Sequence, residues 1–184
     1  MKASQFEELS PPTGAIVFIG DSITEGGDWH ECFPEHSVVN RGISADTSAG
    51  VLKRVAVAVR NSPSTVFLLI GTNDITSGRK DAEILADVRA IVGTIQAQAP
   101  GAHVVLQSIM PRQAKYRGRI EGLNAHYRQI AAAMTNVEYV DLWPVLADGD
   151  ALRTAFTLDG LHLNGPAYRV WTDLLRRLLP AAKR

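Results

Sequence analysis

The chain has 184 residues, 46% hydrophobic and 21% charged, with 19 basic and 19 acidic side chains and a formal net charge of zero. That is long enough for a substantial core. The charge balance argues against a nucleic-acid binder driven by counterion release, and the single cysteine, Cys32, excludes an internal disulfide.

Residues 1–14 carry Glu7, Glu8 and two prolines and read as an N-terminal extension. They lack a basic segment followed by an apolar one, so no secretory signal is expected and a cytoplasmic location is the default. No apolar stretch is long enough to span a bilayer, so membrane insertion is not expected.

Ala15–Ile19 is a buried strand by its apolar, β-branched run. It ends in Gly20-Asp21-Ser22-Ile23-Thr24, a small turn that presents a hydroxyl. Val38–Val39 is a second strand, followed by Asn40-Arg41-Gly42-Ile43. Ala45–Arg60 follows as a helix with Val51, Leu52, Val55 and Val59 on one face. Thr65–Ile70 is a third strand, ending in Gly71-Thr72-Asn73-Asp74. Asp81–Gln98 carries a 3.6-residue apolar stripe. His103–Ile109 and Val137–Leu142 are strands, and Arg117–Met134 and Gly165–Leu179 are helices. Alternation of strand and helix predicts a parallel sheet covered on both faces, an α/β doubly wound sandwich in a single domain. Ligands of such folds bind beyond the carboxyl ends of the strands, where Ser22, Gly42 and Asn73 all fall. Near the C-terminus, Asp159-Gly160-Leu161-His162 sets a carboxylate and an imidazole three residues apart. A serine, a base and a base-orienter are the parts of nucleophilic catalysis.

These four blocks resemble those of the SGNH hydrolases, the GDSL-like esterase superfamily, from Ile16 to about Trp171. Gly20-Asp21-Ser22-Ile23 matches the first block with isoleucine for the commoner leucine. Gly42 falls at the second-block glycine, Gly71-Thr72-Asn73-Asp74 matches the third block, and Asp159-Gly160-Leu161-His162 the last. Asn-Arg-Gly followed by Thr47, with the His-Leu-Asn ending, is most similar to compact bacterial acylhydrolases, relatives of the platelet-activating-factor acetylhydrolase catalytic subunit. Thr24 stands at the second glycine of a G-x-S-x-G elbow, which argues against a standard α/β-hydrolase.

The resemblance implies a three-layer α/β/α sandwich with a five-stranded parallel sheet, and hydrolysis of esters or thioesters without metal or organic cofactor. It implies Ser22 as nucleophile, His162 as base and Asp159 as orienter. It assigns the oxyanion hole to the backbone N–H groups of Ser22 and Gly42 and the Asn73 amide. Glycine at 42 would let a substrate oxygen approach the backbone. The expected substrate is a small-molecule ester with a short, acetyl-type acyl group on a carbohydrate, lipid or small molecule. A thioesterase or lysophospholipase with the same residues is the alternative, as is a non-catalytic ligand-binding protein on the same fold.

Each piece also has a plainer reading. Ser22 could cap a helix, Asp21 is expected to be structural, and Asp74 is expected to be an Asx-turn residue. His30 and His36 flank Cys32, but no cluster shows metal-ligand spacing, and no metal site is expected. His103 and His126 read as structural or solvent-facing. Gly26–Pro34, with Trp29 and Phe33, is one expected pocket wall. Met110–Arg119, with Arg112, Lys115, Tyr116, Arg117 and Arg119, is another. Four cations there suit either an anionic leaving group or a solvated face, and the solvated face is the favoured reading. Trp143 and Trp171 are expected to be packing anchors, and the last helix leaves a stripe that could serve a homo-oligomer.

Overall fold

A computed structural model of the chain describes residues 2–179. In chain order the elements are α1 (Lys2–Glu8), β1 (Ile16–Gly20), α2 (Ser22–Glu25), α3 (Trp29–Cys32), β2 (Val38–Gly42), α4 (Ser48–Ala58), β3 (Thr65–Leu69), α5 (Thr72–Thr76), α6 (Asp81–Gln98), β4 (His103–Gln107), α7 (Arg117–Ala132), β5 (Val137–Val140), α8 (Trp143–Leu146), a small β6 (Ala147–Asp148) and β7 (Ala151–Leu152) hairpin, and α9 (Gly165–Arg176). The five long strands form one parallel sheet in the order β2-β1-β3-β4-β5.

Side chains alternate across a strand, so each central strand feeds two cores. On one face Val17, Ile19, Val66, Leu68, Val104 and Leu106 pack against α4, α6 and α7. On the other, Ile16, Phe18, Phe67, Leu69 and Val105 pack against α3, α8 and α9. The result is a three-layer α/β/α sandwich. Its register places Gly20, Gly42 and Leu69 level at the carboxyl edge.

The second core is aromatic. Phe18 stacks on Trp29 with centroids 4.1 Å apart, and Trp29 meets Trp171 edge-on at 4.7 Å. Trp171 is fully buried and donates from Nε1 to Gln107 Oε1 at 2.7 Å. Trp143 packs against the opposite core.

Three expectations are corrected here. Residues 1–14 are not merely an extension, because α1 docks on α4. Its Phe6 is buried under the Arg41 guanidinium, 4.6 Å from the ring centroid. Phe33 forms no wall of the described pockets, and Trp29 lines one with Asp28, His30 and Asn40 that does not include Ser22; both rings are buried against Phe18. The second-block helix begins at Ser48, not Ala45, because Ala45 takes a left-handed φ of 63° and Thr47 Oγ1 caps the helix by accepting from Gly50 N.

Trp171→Ala should cost about 3–5 kcal/mol, by cavity formation and loss of the Gln107 partner. Urea denaturation checks it; a loss below about 1 kcal/mol would mean the aromatic layer repacks.

Candidate active site

The candidate nucleophile sits on a helix that cannot stabilise itself. Helix α2 has four residues, too short to offset nucleation. Its polar ends are held from outside. Asp21 Oδ1 accepts from Ile23 N at 3.0 Å at the N-terminus. At the other end, Asn40 Nδ2 donates to the carbonyls of Thr24, Glu25 and Gly27 at 3.0, 3.1 and 3.1 Å. Trp29 Nε1 also donates to Thr24 O, and Tyr168 Oη donates to Ile23 O. Ser22, the first helical residue, is thereby fixed at the carboxyl edge of β1.

The loop before α9 brings the imidazole to it. Ser22 Oγ lies 3.1 Å from His162 Nε2, and His162 Nδ1 lies 2.6 Å from Asp159 Oδ2. Asp159 Oδ1 accepts from the amides of Leu161 and His162 at 2.9 and 2.8 Å. The His162 side chain foremost, then these amides, hold the Asp159 carboxyl far below the usual carboxylate range. An ionised carboxylate only accepts, so Nδ1 carries the ring proton and Nε2 turns its lone pair toward the serine hydroxyl. Asp159 and His162 side chains are half exposed, so a ligand can reach them.

Three of the expected residues therefore meet, across 140 residues of sequence. The expected oxyanion donors divide. Asn73 faces the Gly42–Ser48 loop, with Nδ2 donating to Asp46 O at 2.9 Å and one N–H to spare. Gly42 is corrected. Its N–H donates to Asn40 Oδ1 at 2.9 Å, and a Cβ there would sit 2.2 Å from Glu25 N. The missing side chain serves close packing of β2 on α2, not substrate approach. Other loop amides are also taken: Ile43 by Gly20 O, Ser44 by Glu25 Oε2, Asp46 by Ile43 O, Thr47 by Asp46 Oδ1 and Ser48 by Asp74 Oδ2. Among the described residues from Gly42 to Ser48, only the Ala45 amide has no acceptor. Ala45 is exposed and held left-handed, a conformation that costs a non-glycine residue free energy and that surrounding contacts must enforce.

Asp74 is more than an Asx turn. It is fully buried and accepts from Ser48 N, Ser48 Oγ and Arg79 Nη1 at 2.9, 2.7 and 2.7 Å. It locks the start of α4 to α5, and so the Ala45 loop to Asn73. Sequence reasoning also missed Asn40 as the clamp of α2. Its signal was an asparagine at the end of an apolar strand, where an amide can cap a neighbouring helix. Among the described residues, no group of three His, Cys, Asp or Glu could hold a metal ion. No described helix is long and apolar enough to cross a membrane.

Asp21 is 1% exposed, and burial pushes its carboxyl up to about 7 against the downward pull of the Ile23 amide and His162. The folded state therefore binds this proton more tightly than the unfolded chain, whose value is near 3.8. Stability from this group is full below about pH 4 and is lost as pH rises through about 7. Asp21→Asn, neutral throughout, should be more stable relative to wild type at pH 8 than at pH 4. Urea titrations at both values check it; a pH-independent difference would place the Asp21 titration outside this window.

The model of the GDSL-like Lipase/Acylhydrolase family matches residues 18–170. The chain is 28% identical over 178 residues to platelet-activating factor acetylhydrolase IB subunit alpha1 of Pongo abelii, covering 89% of this chain and 76% of that one. A GDSL-like lipase from Bacteroides thetaiotaomicron superposes with a TM-score of 0.83 at 26% identity, over 96% and 94% of the two chains. An acetylxylan esterase from Geobacillus stearothermophilus shares the fold, with a TM-score of 0.75 at 20% identity over 96% and 99%. With its four blocks arranged along one sheet edge, the chain belongs to the GDSL-like lipase/acylhydrolase family.

Proposed function

We propose that the protein is a serine esterase that hydrolyses short-chain carboxylic esters through an acyl-enzyme. The observation that carries this reading is the unbroken hydrogen-bond chain from Ser22 Oγ through His162 to Asp159, at 3.1 and 2.6 Å, on an accessible edge. His162 Nε2 takes the hydroxyl proton as Ser22 Oγ attacks the acyl carbonyl. Asp159 stabilises the imidazolium. Collapse of the tetrahedral intermediate expels the alkoxide, which receives that proton from His162. Water then attacks the acyl-enzyme by the same route, returning the hydroxyl to Ser22 and releasing the acid.

The negative oxygen of the intermediate needs donors fixed before reaction. The N–H of Ser22, the N–H of Ala45 and the spare N–H of Asn73 Nδ2 suit this role; Ala45 stands in place of Gly42. Beside the nucleophile, Asp21, Ile23, Leu69, Thr72, Ile109 and Met110 line a narrow cleft of about 10 Å³, room for one water molecule. Its narrowness and mainly apolar lining favour the shortest acyl groups. The acetyl-ester names borne by relatives point the same way.

Hydrolysis of p-nitrophenyl esters of increasing acyl length tests this. Activity should peak at short chains and vanish in Ser22→Ala; a peak at long chains would overturn the acyl assignment. Asn73→Ala should lower kcat by roughly a hundred- to a thousandfold. A crystal structure of the Ser22 phosphonate adduct should show the phosphoryl oxygen on Ala45 N; contact with Gly42 N would restore the first assignment.

A further inference from the structure

The basic loop after β4 is only partly a solvated face. Arg117 pairs with Glu121 and Asp150, Arg119 with Asp81 and the carbonyl of Ile75, and Lys115 rests over the Tyr116 ring. Arg112 differs. It is 6% exposed, and each of its hydrogen-bond partners is neutral, the Asp159 carboxylate acting on it only through space. Nη1 donates to Thr72 O, Thr72 Oγ1 and Thr76 Oγ1 at 3.3, 3.1 and 2.8 Å, and Nε donates to Gln113 Oε1 at 3.1 Å. The guanidinium stacks on Tyr116 at 4.1 Å from the ring centroid. Burial of a guanidinium without a directly bonded carboxylate costs free energy, and an apolar side chain would fill the space at less cost. What an apolar side chain could not do is span several acceptors with a rigid planar fork.

The acceptors lie on both sides of the site. Thr72 and Thr76 bracket Asn73 on α5. Gln113, whose Oε1 takes the Arg112 Nε–H, donates from Nε2 to the backbone carbonyl of Asp159 at 3.2 Å. Gly160, at φ 74°, packs under the same amide, and a Cβ there would lie 3.2 Å from Gln113 Nε2, tight enough that the amide would have to shift slightly. The Arg112 carbonyl meanwhile accepts from Leu152 N at 3.1 Å, anchoring the segment that leads into the Asp159 loop.

We infer that Arg112 and Gln113 form a positioning relay, Thr72/Thr76–Arg112–Gln113–Asp159, that sets the Asp159–His162 pair against the helix carrying Asn73. This rests on the esterase reading of Ser22, His162 and Asn73. Neither residue touches the reacting atoms. The relay keeps the base in register with the oxyanion donor, two groups that come from separate loops.

The test is a double-mutant cycle on the full chain with two readouts. Gln113→Ala should lower kcat by about tenfold with KM little changed, since a displaced base loses turnover more than binding. Arg112→Lys keeps the charge, loses the fork and should act alike. The double variant should be no worse than the more impaired single variant, the mark of one shared relay. Independent losses that multiply would overturn the relay, as would equal losses expressed in KM. The second readout needs no turnover. The His162 Nδ1–H proton resonance, shifted downfield by its short bond to Asp159, should move upfield and broaden in both single variants; unchanged resonances would overturn the relay. Should Arg112→Lys fail to fold, Gln113→Ala, at a partly exposed position, carries both readouts alone. Absence of Ser22-dependent hydrolysis in wild type would remove the esterase reading instead, and the resonance would still decide the relay.

Discussion

The structure turns on how a single turn of helix is kept at the end of a strand. Four residues of α2 leave more than half of their amides and carbonyls without helical partners. Most of those groups are met from outside the helix: by Asp21 from the turn, Asn40 from β2, Trp29 from α3 and Tyr168 from α9. Each donor or acceptor sits on an element whose place is set by the two hydrophobic cores. The position of the Ser22 hydroxyl is therefore a property of the whole sandwich, and packing errors on either side of β1 reach it.

The opposing half of the site follows another logic. Asp159 binds the amides of its own loop, so the carboxylate and the imidazole are internally matched before they meet the serine. What must be tuned is the placement of that loop as a body. Parallel strands make this natural: every connecting loop at the carboxyl edge begins near its neighbours, and short side-chain bridges such as Asn73 to Asp46 and Gln113 to Asp159 suffice to align them.

Much of this was legible in the sequence. Strand and helix alternation gave the layers because buried parallel strands are apolar on both faces. The serine, histidine and aspartate were legible because their spacing in four blocks is distinctive. What escaped had mixed signals. Lys2–Glu8 has one buried apolar residue, Phe6, and shows no stripe; the helix is held by the Arg41 stack and by Arg41 Nη2 on Leu9 O. Trp29 and Phe33 lie in a short, polar-flanked segment that looks like a loop wall, yet Phe18 draws them inward. Gly42 matched a glycine position by sequence, but its amide was already committed to Asn40, a contact that only the β2 to α2 geometry reveals. Asp74 read as a turn former because its partners, Ser48 and Arg79, are set by tertiary packing.

The aromatic layer has a practical consequence. Trp29 and Trp171 lie nearly perpendicular with centroids 4.7 Å apart, and Trp29 is bonded to the carbonyl of Thr24 on the helix that carries Ser22. Trp143 stands on the opposite side of the sheet. Two close, rigid indoles in a chiral surrounding couple optically, so the molecule carries a built-in near-ultraviolet reporter of whether the serine's helix is seated, separable from overall helix content.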